Sequence, residues 1–440
     1  MTTATADVAA WGTALEQSPR STDLPGWLQA RKREAREHFE SKGFPAARDE
    51  AWRFTNVTPI SATSFERADT ETAVDVARLP CLDPAEGTAL PRMVIVNGRL
   101  RRELSAAPPP GVRVLHLADA LPVAGQTLEA RLGSLADPGS HPFAALNGAL
   151  WTDLVVVLIE PRAVVRQPVH LCFVATGGPQ ESPARNHPRV LVVAARHSQA
   201  TLVTSHVGAD VGHYFSNPVA EIALEEGAIL DLVRDQRESS VALHVGHVVV
   251  EQARDSRFRD FSLSLGGRLV RHELSVRLAA EGAECELLGL FVGAGSQHLD
   301  THSLVDHAAP HTTSRELYKG ILGGHARGVF HGHVLVRRDA QKIDAEQTNR
   351  NLLLTRNALV NSTPALEIRA DDVKCRHGST TGQLDDLAVF YLRSRGLDEA
   401  AAHALLTRAF AGDVTARVPL EALRAHVEAH VDRLAGEALR

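Results

Sequence analysis

The feature that most constrains this chain is a regular alternation of short apolar runs and polar turns from about residue 153 onwards. Residues 273–278 alternate apolar and polar side chains, as a strand with one buried face does. Each unit of a solenoid leaves an apolar face that only its neighbours can cover, so the spacing favours stacked β coils. An antiparallel sandwich with regular hairpins remains the alternative. The turns recur about every 28 residues, near Gln199, Gly227, Asp255, Gly282, Pro310 and Arg338.

The segments on either side of this repeat have helical patterns. Residues 26–42 predict a helix that stops at Gly43 and Pro45, and residues 115–150 predict further helix after a strand at 93–97. Residues 385–395 and 399–411 predict two more helices, with a last one from Pro419 to about residue 436. We therefore expect a mainly β protein with an N-terminal mixed region (1–150), a β-helix core (151–384) and a C-terminal helical domain (385–440).

Composition and motifs exclude several functional classes. Aromatic residues make up 5% of the chain, so we expect aliphatic side chains to fill the core. The net charge is −6, so we expect no nucleic acid to bind. The basic stretch 31–33 is diluted by Glu34 and Glu37, which predicts a solvated helix face without a binding role. No apolar run approaches a membrane span and no secretory signal is visible, so we expect a cytoplasmic protein. No P-loop or common hydrolase motif occurs, which predicts a non-catalytic chain.

The four cysteines are Cys81, Cys172, Cys285 and Cys375. They lie too far apart in sequence for a local zinc or ferredoxin motif, and a disulfide framework is not expected. Cys172 and Cys285 lie among apolar residues and are predicted to be small core side chains. Cys81 has no informative surroundings.

The 22 histidines include a group at His298, His302, His307 and His311, followed by His325, His331 and His333. His331 and His333 would share one face of a strand, a spacing that can bind a metal ion. The same pattern fits satisfied or exposed histidines on the outside of a solenoid, so both interpretations stay open.

Cys375 has the surroundings of a functional cysteine. Lys374, Arg376 and His377 flank it, and such neighbours favour the thiolate, which is the metal-binding form. If residues 373–377 are a strand, Cys375 and His377 project from one face while the two cations line the other. Thiolate and imidazole suit iron or zinc, but two ligands are too few for a closed site. The alternatives are a metal site completed by another chain and a structural turn.

Several long motifs resemble the SufB/SufD family of iron–sulfur cluster assembly proteins. The likeness is dense between residues 320 and 396 and thinner elsewhere. It includes GIL at 320–322, ARGVF at 326–330, AQKIDA at 340–345, NLLL at 351–354, LEI at 366–368, ADDVKCRHGSTTG at 370–382 and FYLRSRG at 390–396. Near the N-terminus, residues 43–45 and 49–55 resemble the family's signature.

The resemblance implies a right-handed parallel β-helix between an N-terminal helical region and a C-terminal helical domain. It implies a scaffold that pairs with SufB along the β-helix, binds the ATPase SufC through the C-terminal region and carries a transient iron–sulfur cluster in the complex. His377 corresponds to a proposed cluster ligand and Cys375 to the adjacent family cysteine. Asp385, Asp386, Phe390, Tyr391, Arg393 and Arg395 fall in the region that contacts SufC. No cofactor is expected to bind the isolated chain tightly, and an isolated chain with an uncovered edge can form a homodimer.

Four alternatives stand against this interpretation. The SufB branch has the same fold, but its chains tend to have an E-C-R-N-N type sequence and more cysteines, so the KC-x-HG motif favours the SufD branch. A β-helical polysaccharide lyase would need converging carboxylates, whereas Asp371 and Asp372 point to opposite faces of a strand. A stand-alone metal-binding β-helix would use the histidine group, and a transporter permease would need an apolar span that the chain lacks.

Overall fold

The structure is a computed structural model that describes residues 11–16, 24–79 and 90–437. Cys81 lies outside these residues. Within them the helices are α1 (residues 11–16), α2 (Gly26–Lys42), α3 (Thr58–Ser61), α4 (Leu117–Arg131), α5 (Pro142–Leu150), α6 (Asp386–Ser394), α7 (Glu399–Thr415) and α8 (Glu421–Glu437). Three short 3-10 helices span Glu50–Trp52, Val76–Arg78 and Arg102–Leu104.

The strands of the described residues belong to two long sheets. The strands from the N-terminal region are β1 (Glu66–Arg67), β2 (Arg92–Val96), β3 (Arg99–Arg101) and β4 (Val112–His116). Those that follow are β5 (Leu154–Ile159), β6 (Val169–Ala175), β7 (Ala184–Asn186), β8 (Arg189–Ala194), β9 (Gln199–Gly208), β10 (Tyr214–Ser216), β11 (Val219–Leu224), β12 (Ile229–Arg237), β13 (Leu243–Gln252), β14 (Arg257–Ser264), β15 (Leu269–Leu278), β16 (Glu284–Gly293), β17 (His298–His307), β18 (Thr313–Leu322), β19 (Arg327–Val336), β20 (Ile343–Leu353), β21 (Leu359–Ile368) and β22 (Val373–Gly382).

From β11 onwards, successive strands alternate between the two sheets. Sheet A runs β21-β19-β17-β15-β13-β11-β8-β5-β4, and sheet B runs β22-β20-β18-β16-β14-β12-β9-β6-β2-β3. Neighbouring strands are parallel, except at one end, where β2 pairs with β3 and β4 pairs with β5 in antiparallel fashion. The predicted parallel β-helix is confirmed, and the antiparallel sandwich is wrong because every coil returns to the sheet in the same direction.

The turns of the repeat explain its regular spacing. Each contains one residue with positive φ: His197, Gly227, Asp255, Gly282, His311 and Lys342. A Cβ on Gly282 would come within 2.1 Å of Asp255 Oδ1, so the stacked turns leave no room for a side chain there. The predicted turn at Gln199 is shifted, because Gln199 already pairs with Ile229 in sheet B and the turn residue is His197.

The predicted flanking elements are largely confirmed. The helix at 26–42 has the predicted bounds, and Gly43 follows it with φ 67°. The segment 115–150 is only partly helical, because residues 112–116 form strand β4 and a loop separates α4 from α5. Pro122 lies inside α4, whose backbone departs from helical geometry at Ala124. The C-terminal helix begins at Glu421, two residues after Pro419.

Aliphatic side chains fill the solenoid interior, whereas aromatic side chains gather under the N-terminal region. The interior cluster is dominated by Val, Leu and Ile from both sheets. The N-terminal cluster packs Trp11, Phe39, Trp52 and Phe143 against the outer face of sheet A around Phe215. Burial of these large rings fixes the N-terminal region to the solenoid.

A buried lysine helps to hold the C-terminal helices against the outer face of sheet B. Lys319 on β18 is 2% exposed. Its Nζ donates to the Phe410 carbonyl at 2.6 Å and to Asp413 Oδ2 at 2.6 Å, both on α7. The same nitrogen lies 4.5 Å from the centre of the Phe410 ring. Val414, Leu423 and Val427 complete the contact with the apolar outer face of sheet B.

Replacing this lysine should loosen the C-terminal helices. Lys319→Ala removes two charge-assisted hydrogen bonds and a cation–π contact, so we expect a loss of about 3 kcal/mol in the free energy of unfolding. Urea unfolding and limited proteolysis after residue 384 measure the effect. The control Lys374→Ala alters an exposed lysine and should change stability by less than about 0.5 kcal/mol. Equal stability of the two variants would contradict the anchoring role of Lys319.

Candidate functional site

The last coil of the solenoid is open. Strands β21 and β22 end the two sheet paths, and most of their residues are exposed or half-buried, unlike those of the preceding coils. Their outer edges present backbone N–H and C=O groups that no other strand of the described chain pairs. At the opposite end the antiparallel strands β3 and β4 occupy the corresponding positions. These two strands span only three and five residues, against ten each in β21 and β22, so the open coil offers the longer edges.

Cys375 and His377 lie on β22 and face the interior side of this open coil. Cys375 pairs in register with Ala345, and His377 with Gln347. Both partners are buried inside the solenoid, and paired residues of parallel strands share a face. The prediction that the two side chains share one face of a strand is confirmed, and a structural turn is excluded. Whether they bind a metal ion remains a prediction.

The neighbouring cations point away from this face. Arg376 Nη2 donates to Glu346 Oε2 at 2.6 Å on the outer surface. Burial raises the pKa of the Cys375 thiol, and the nearby Asp344 carboxylate raises it further, against a smaller lowering by the Ala345 backbone hydrogen bond. The expectation that Lys374 and Arg376 favour the thiolate is therefore wrong for the isolated chain. Alternation along the strand places their charges on the other face.

A row of polar side chains, here called the polar row, runs from His377 through Gln347 to Glu316 inside the solenoid. Gln347, the register partner of His377, donates from Nε2 to Glu316 Oε2 at 2.6 Å, and Ser303 Oγ donates to the same oxygen at 3.2 Å. Burial raises the pKa of Glu316 to about 7, an effect that the hydrogen bonds from Gln347 and Ser303 only partly offset. Glu316 Oε1 and Gln347 Oε1 are buried without hydrogen-bond partners among the described residues. The open site is thus continuous with a buried carboxyl group.

Sequence reasoning missed Glu316 and Gln347. Nothing in their local sequence separates them from other polar strand residues. The signal lay in register, because Glu316, Gln347 and His377 occupy equivalent positions on β18, β20 and β22. This alignment is visible only once the lengths of the intervening turns are known.

The histidine group does not converge on one point. His307 is buried in the interior, 2.7 Å from Thr312 Oγ1 and 3.0 Å from Ser314 Oγ. His302 and His331 stack on the outer face of sheet A with ring centres 5.0 Å apart, and His333 lies 3.6 Å from Glu367. Across the described residues, no set of three or more His, Cys, Asp or Glu side chains is placed to hold a metal ion. His302, His331 and His333 thus lie on the outside of the solenoid, as one interpretation predicts, whereas His307 lies inside it.

Two of the three described cysteines have the predicted structural role. Cys172 and Cys285 are buried in apolar clusters. Burial also raises the pKa of the Cys285 thiol well above its ordinary value, so this cysteine stays protonated.

Helix α6 presents an apolar surface. Val389 is its one buried residue, whereas Leu387, Phe390 and Tyr391 are 75%, 70% and 56% exposed. Asp385 caps the helix by accepting a hydrogen bond from the Leu387 backbone N–H at 3.0 Å. Asp386 lies in the first turn, where a carboxylate favours the helix dipole.

Two arginines lie at the other end of α6. Arg393 Nη1 lies 3.5 Å from Glu399 Oε2, and the Arg395 guanidinium stacks 5.2 Å from the centre of the Tyr391 ring. The six residues predicted to bind a partner are thus on or beside one exposed helix. None of the described helices is both long enough and apolar enough to cross a bilayer.

Comparison with known proteins identifies the class to which this β-solenoid belongs. Residues 174–410 match the family model "SUF system FeS cluster assembly, SufBD core domain", and residues 21–171 match the SufBD N-terminal region. An iron–sulfur cluster assembly SufBD family protein of Synechocystis sp. is 34% identical over 93% of this chain and 96% of its own length.

Two further relatives extend the comparison. The chloroplastic protein ABCI7 of Arabidopsis thaliana is 32% identical over 96% of this chain and 88% of its own length. The iron–sulfur cluster assembly protein SufD of Escherichia coli is 27% identical over 93% of this chain and 94% of its own length. The chain belongs to the SufBD family of the SUF system for iron–sulfur cluster assembly.

The titration of Glu316 allows a test of the buried polar row. The pKa of Glu316 in the folded protein is about 7, above the ordinary value of 4.5, so the cost of ionising it appears as pH rises from 4.5 and is complete above 7. This shift corresponds to a cost of about 3 kcal/mol. Glu316→Gln should remove the cost, so that the variant is more stable than wild type at pH 8 and about equal at pH 4.5.

Urea unfolding at the two pH values measures this difference. Glu284→Gln is the control, because Glu284 is an exposed carboxylate on neighbouring strand β16 that pairs with Arg257. If Glu316→Gln and wild type lose stability in parallel as pH rises, Glu316 does not titrate as stated.

Proposed function

We propose that this chain is the SufD-type scaffold subunit of a Suf complex that assembles iron–sulfur clusters de novo, with the cluster as its cargo. The observation that carries the proposal is the position of Cys375 and His377 on β22, the last strand of an open solenoid. A site at this position is accessible to a second chain that docks on the same end. The family membership and the SufD relatives of Escherichia coli and Bacillus subtilis support the assignment.

The open coil supports pairing with a SufB-type chain. Strands β21 and β22 each span ten residues and offer free edges, which are templates for strand addition. A paralogous solenoid with the same kind of end would extend both sheets across the interface. In the absence of that partner, the same edges can pair two copies of this chain, so a homodimer is the expected state of isolated protein.

The cluster site would be shared between the two chains. Cys375 and His377 supply one thiolate and one imidazole, and the remaining ligands would come from the SufB-type partner. The raised pKa of Cys375 means that metal binding must displace a proton from the thiol. Loading of the site should therefore become more favourable as pH rises.

The exposed face of α6 supports docking of a SufC-type ATPase. Phe390 and Tyr391 are exposed aromatic side chains of the kind that anchor protein interfaces, and Arg393 and Arg395 flank them. ATP hydrolysis would take place in that partner, since this sequence has no P-loop. The chain would act as a non-catalytic subunit in the cytoplasm.

Two alternative functions have less support. A SufB-type chain that carries most of the cluster ligands would need more cysteines than the four present, and its E-C-R-N-N type sequence is replaced here by Lys374-Cys375-Arg376-His377-Gly378. A stand-alone metal-binding protein would need a convergent ligand set, which the described histidines do not form.

Co-purification tests the complex and the docking helix together. Wild type expressed with its SufB-type and SufC-type partners should elute as one particle with one copy of each scaffold and two ATPases, measured by light scattering. Phe390→Ala/Tyr391→Ala should lose the ATPase copy bound to this chain, with affinity at least about 30-fold weaker, but keep the SufB-type partner.

Val211→Ala provides a matched control, because Val211 is an apolar side chain that is also strongly exposed. This control should behave as wild type does. If the wild-type chain co-purifies with neither partner, the assignment to the Suf complex is wrong.

The role of His377 is tested by a single substitution. His377→Ala should reduce the yield of assembled cluster at least about tenfold, because the site loses one of two ligands from this chain, while the complex stays intact. Cluster absorbance and iron content of the purified complex measure the yield. His333→Ala is the control, since His333 lies on the outer face of sheet A.

A normal cluster yield in His377→Ala would overturn the role of His377. Loss of the cluster in His333→Ala alone would favour the stand-alone histidine site instead.

A further inference from the structure

The N-terminal region contains a polar cavity of about 220 Å³ between α2, the loop after α4, and α5. Three cations line it: Arg31 and Lys32 from α2, and Arg189 from β8. The expectation that residues 31–33 form a solvated face fits the exposed Arg33, whereas Lys32 is half-buried. Burial lowers the pKa of Lys32 to about 7, and the neighbouring charge of Arg189 lowers it further.

Lys32 has no acidic partner among the described residues. Its Nζ donates to the Trp151 carbonyl at 2.7 Å and lies 4.0 Å from the centre of the Trp151 ring. An ammonium group has three N–H donors, and the carbonyl accepts one of them. A buried cation without a counter-ion is costly, and the cost falls when an anion binds beside it.

Each arginine also has a buried nitrogen atom without a hydrogen-bond partner. Arg189 is 3% exposed, and its Nε is unpartnered although Nη1 donates to Asn147 at 3.1 Å and Nη2 donates to Glu221. Arg31 donates from Nη2 to the Glu129 carbonyl at 2.6 Å, while Nη1 is unpartnered. Both nitrogen atoms are closed to water, so the two arginines bring charge to the cavity rather than open donors.

Among the described residues, the nearby carboxylates form no ion pair with Lys32 or Arg31. Glu221 forms a buried ion pair with Arg189 and also accepts hydrogen bonds from the backbone N–H groups of Gly133, Leu135 and Ala136, so its charge offsets that of Arg189. Glu34 and Asp137 line the cavity but are exposed. The remaining wall is mostly apolar, from residues such as Leu28, Leu132 and Ala144.

We propose that this cavity is a binding site for a small oxyanion of the phosphate class, held by Lys32, Arg31 and Arg189. Guanidinium groups match the geometry of tetrahedral oxyanions, and the lysine supplies a point charge. The anion would separate the like charges of Lys32 and Arg189 and give the Lys32 ammonium a counter-ion. Inorganic phosphate and the phosphate group of a small monoester share this chemistry, and the volume has room for either.

Isothermal titration of the full chain with inorganic phosphate, sulfate and glycerol 3-phosphate tests the proposal. Binding of all three with similar affinity assigns the site to the free oxyanion, whereas much tighter binding of glycerol 3-phosphate assigns it to a phosphate monoester. Lys32→Met keeps the length of the side chain and removes the charge, so it should fold and should weaken binding at least about tenfold.

Arg33→Gln is the matched control. Arg33 is the adjacent cation on α2, is exposed and does not line the cavity, so its removal should leave affinity within about twofold. The proposal would be overturned if none of the three anions gave a heat of binding at matched ionic strength. It would also be overturned if both variants lost affinity equally.

The pH dependence of sulfate binding gives a second test, because the charge of sulfate is constant above pH 3. The bound anion requires protonated Lys32, whose pKa in the free protein is about 7. Affinity should therefore fall by more than about tenfold between pH 7 and pH 9 in wild type. Lys32→Met should abolish this dependence. A pH-independent affinity in wild type would show that Lys32 does not contact the anion.

Discussion

In-register stacking of parallel strands is the constraint on which the rest of this structure depends. Each coil can cover its apolar face only with the next coil, and each paired residue inherits the face of its partner. This rule places Cys375 and His377 on the interior face of β22, while Arg376 points outward to Glu346. It also means that the last coil has no cover from its own chain. The same geometry therefore builds the core, orients the candidate ligands and creates the surface where a partner is proposed to dock.

A buried cation helps to hold each terminal region against the solenoid, the N-terminal region on sheet A and the C-terminal helices on sheet B. Arg271 on sheet A is 1% exposed, donates to Asp300 and to the Ala51 carbonyl, and stacks 3.6 Å from the centre of the Trp52 ring. Lys319 does the same for α7 on sheet B. In each case a buried cation meets both a backbone carbonyl and an aromatic ring of the attached segment. Helix α6 lacks such an anchor among the described residues, and its apolar side chains Leu387, Phe390 and Tyr391 stay exposed.

Much of the architecture could be predicted because its signals are local and repeated. The bounds of α2, the starts of α6 and α7, and the shared face of Cys375 and His377 follow from patterns a few residues long. The protonation of Cys375 could not be predicted in this way. Its flanking cations are close in sequence but on the other face, while Asp344, which is distant in sequence, lies close enough to raise its pKa. The partial burial of Lys32 could not be predicted either, because packing against α5 and β8 is invisible in a basic stretch of helix.

The sequence by itself determined the periodic β-solenoid, the helices that flank it and the family to which the chain belongs. These properties rest on the spacing of apolar residues and turns and on long local motifs, which survive without knowledge of distant contacts. The tertiary structure alone decided which coil stays uncovered, that Glu316 and Gln347 continue the line of His377 into the core, and that three cations meet in one cavity. Those features depend on register and burial, which arise from contacts between residues far apart in the chain.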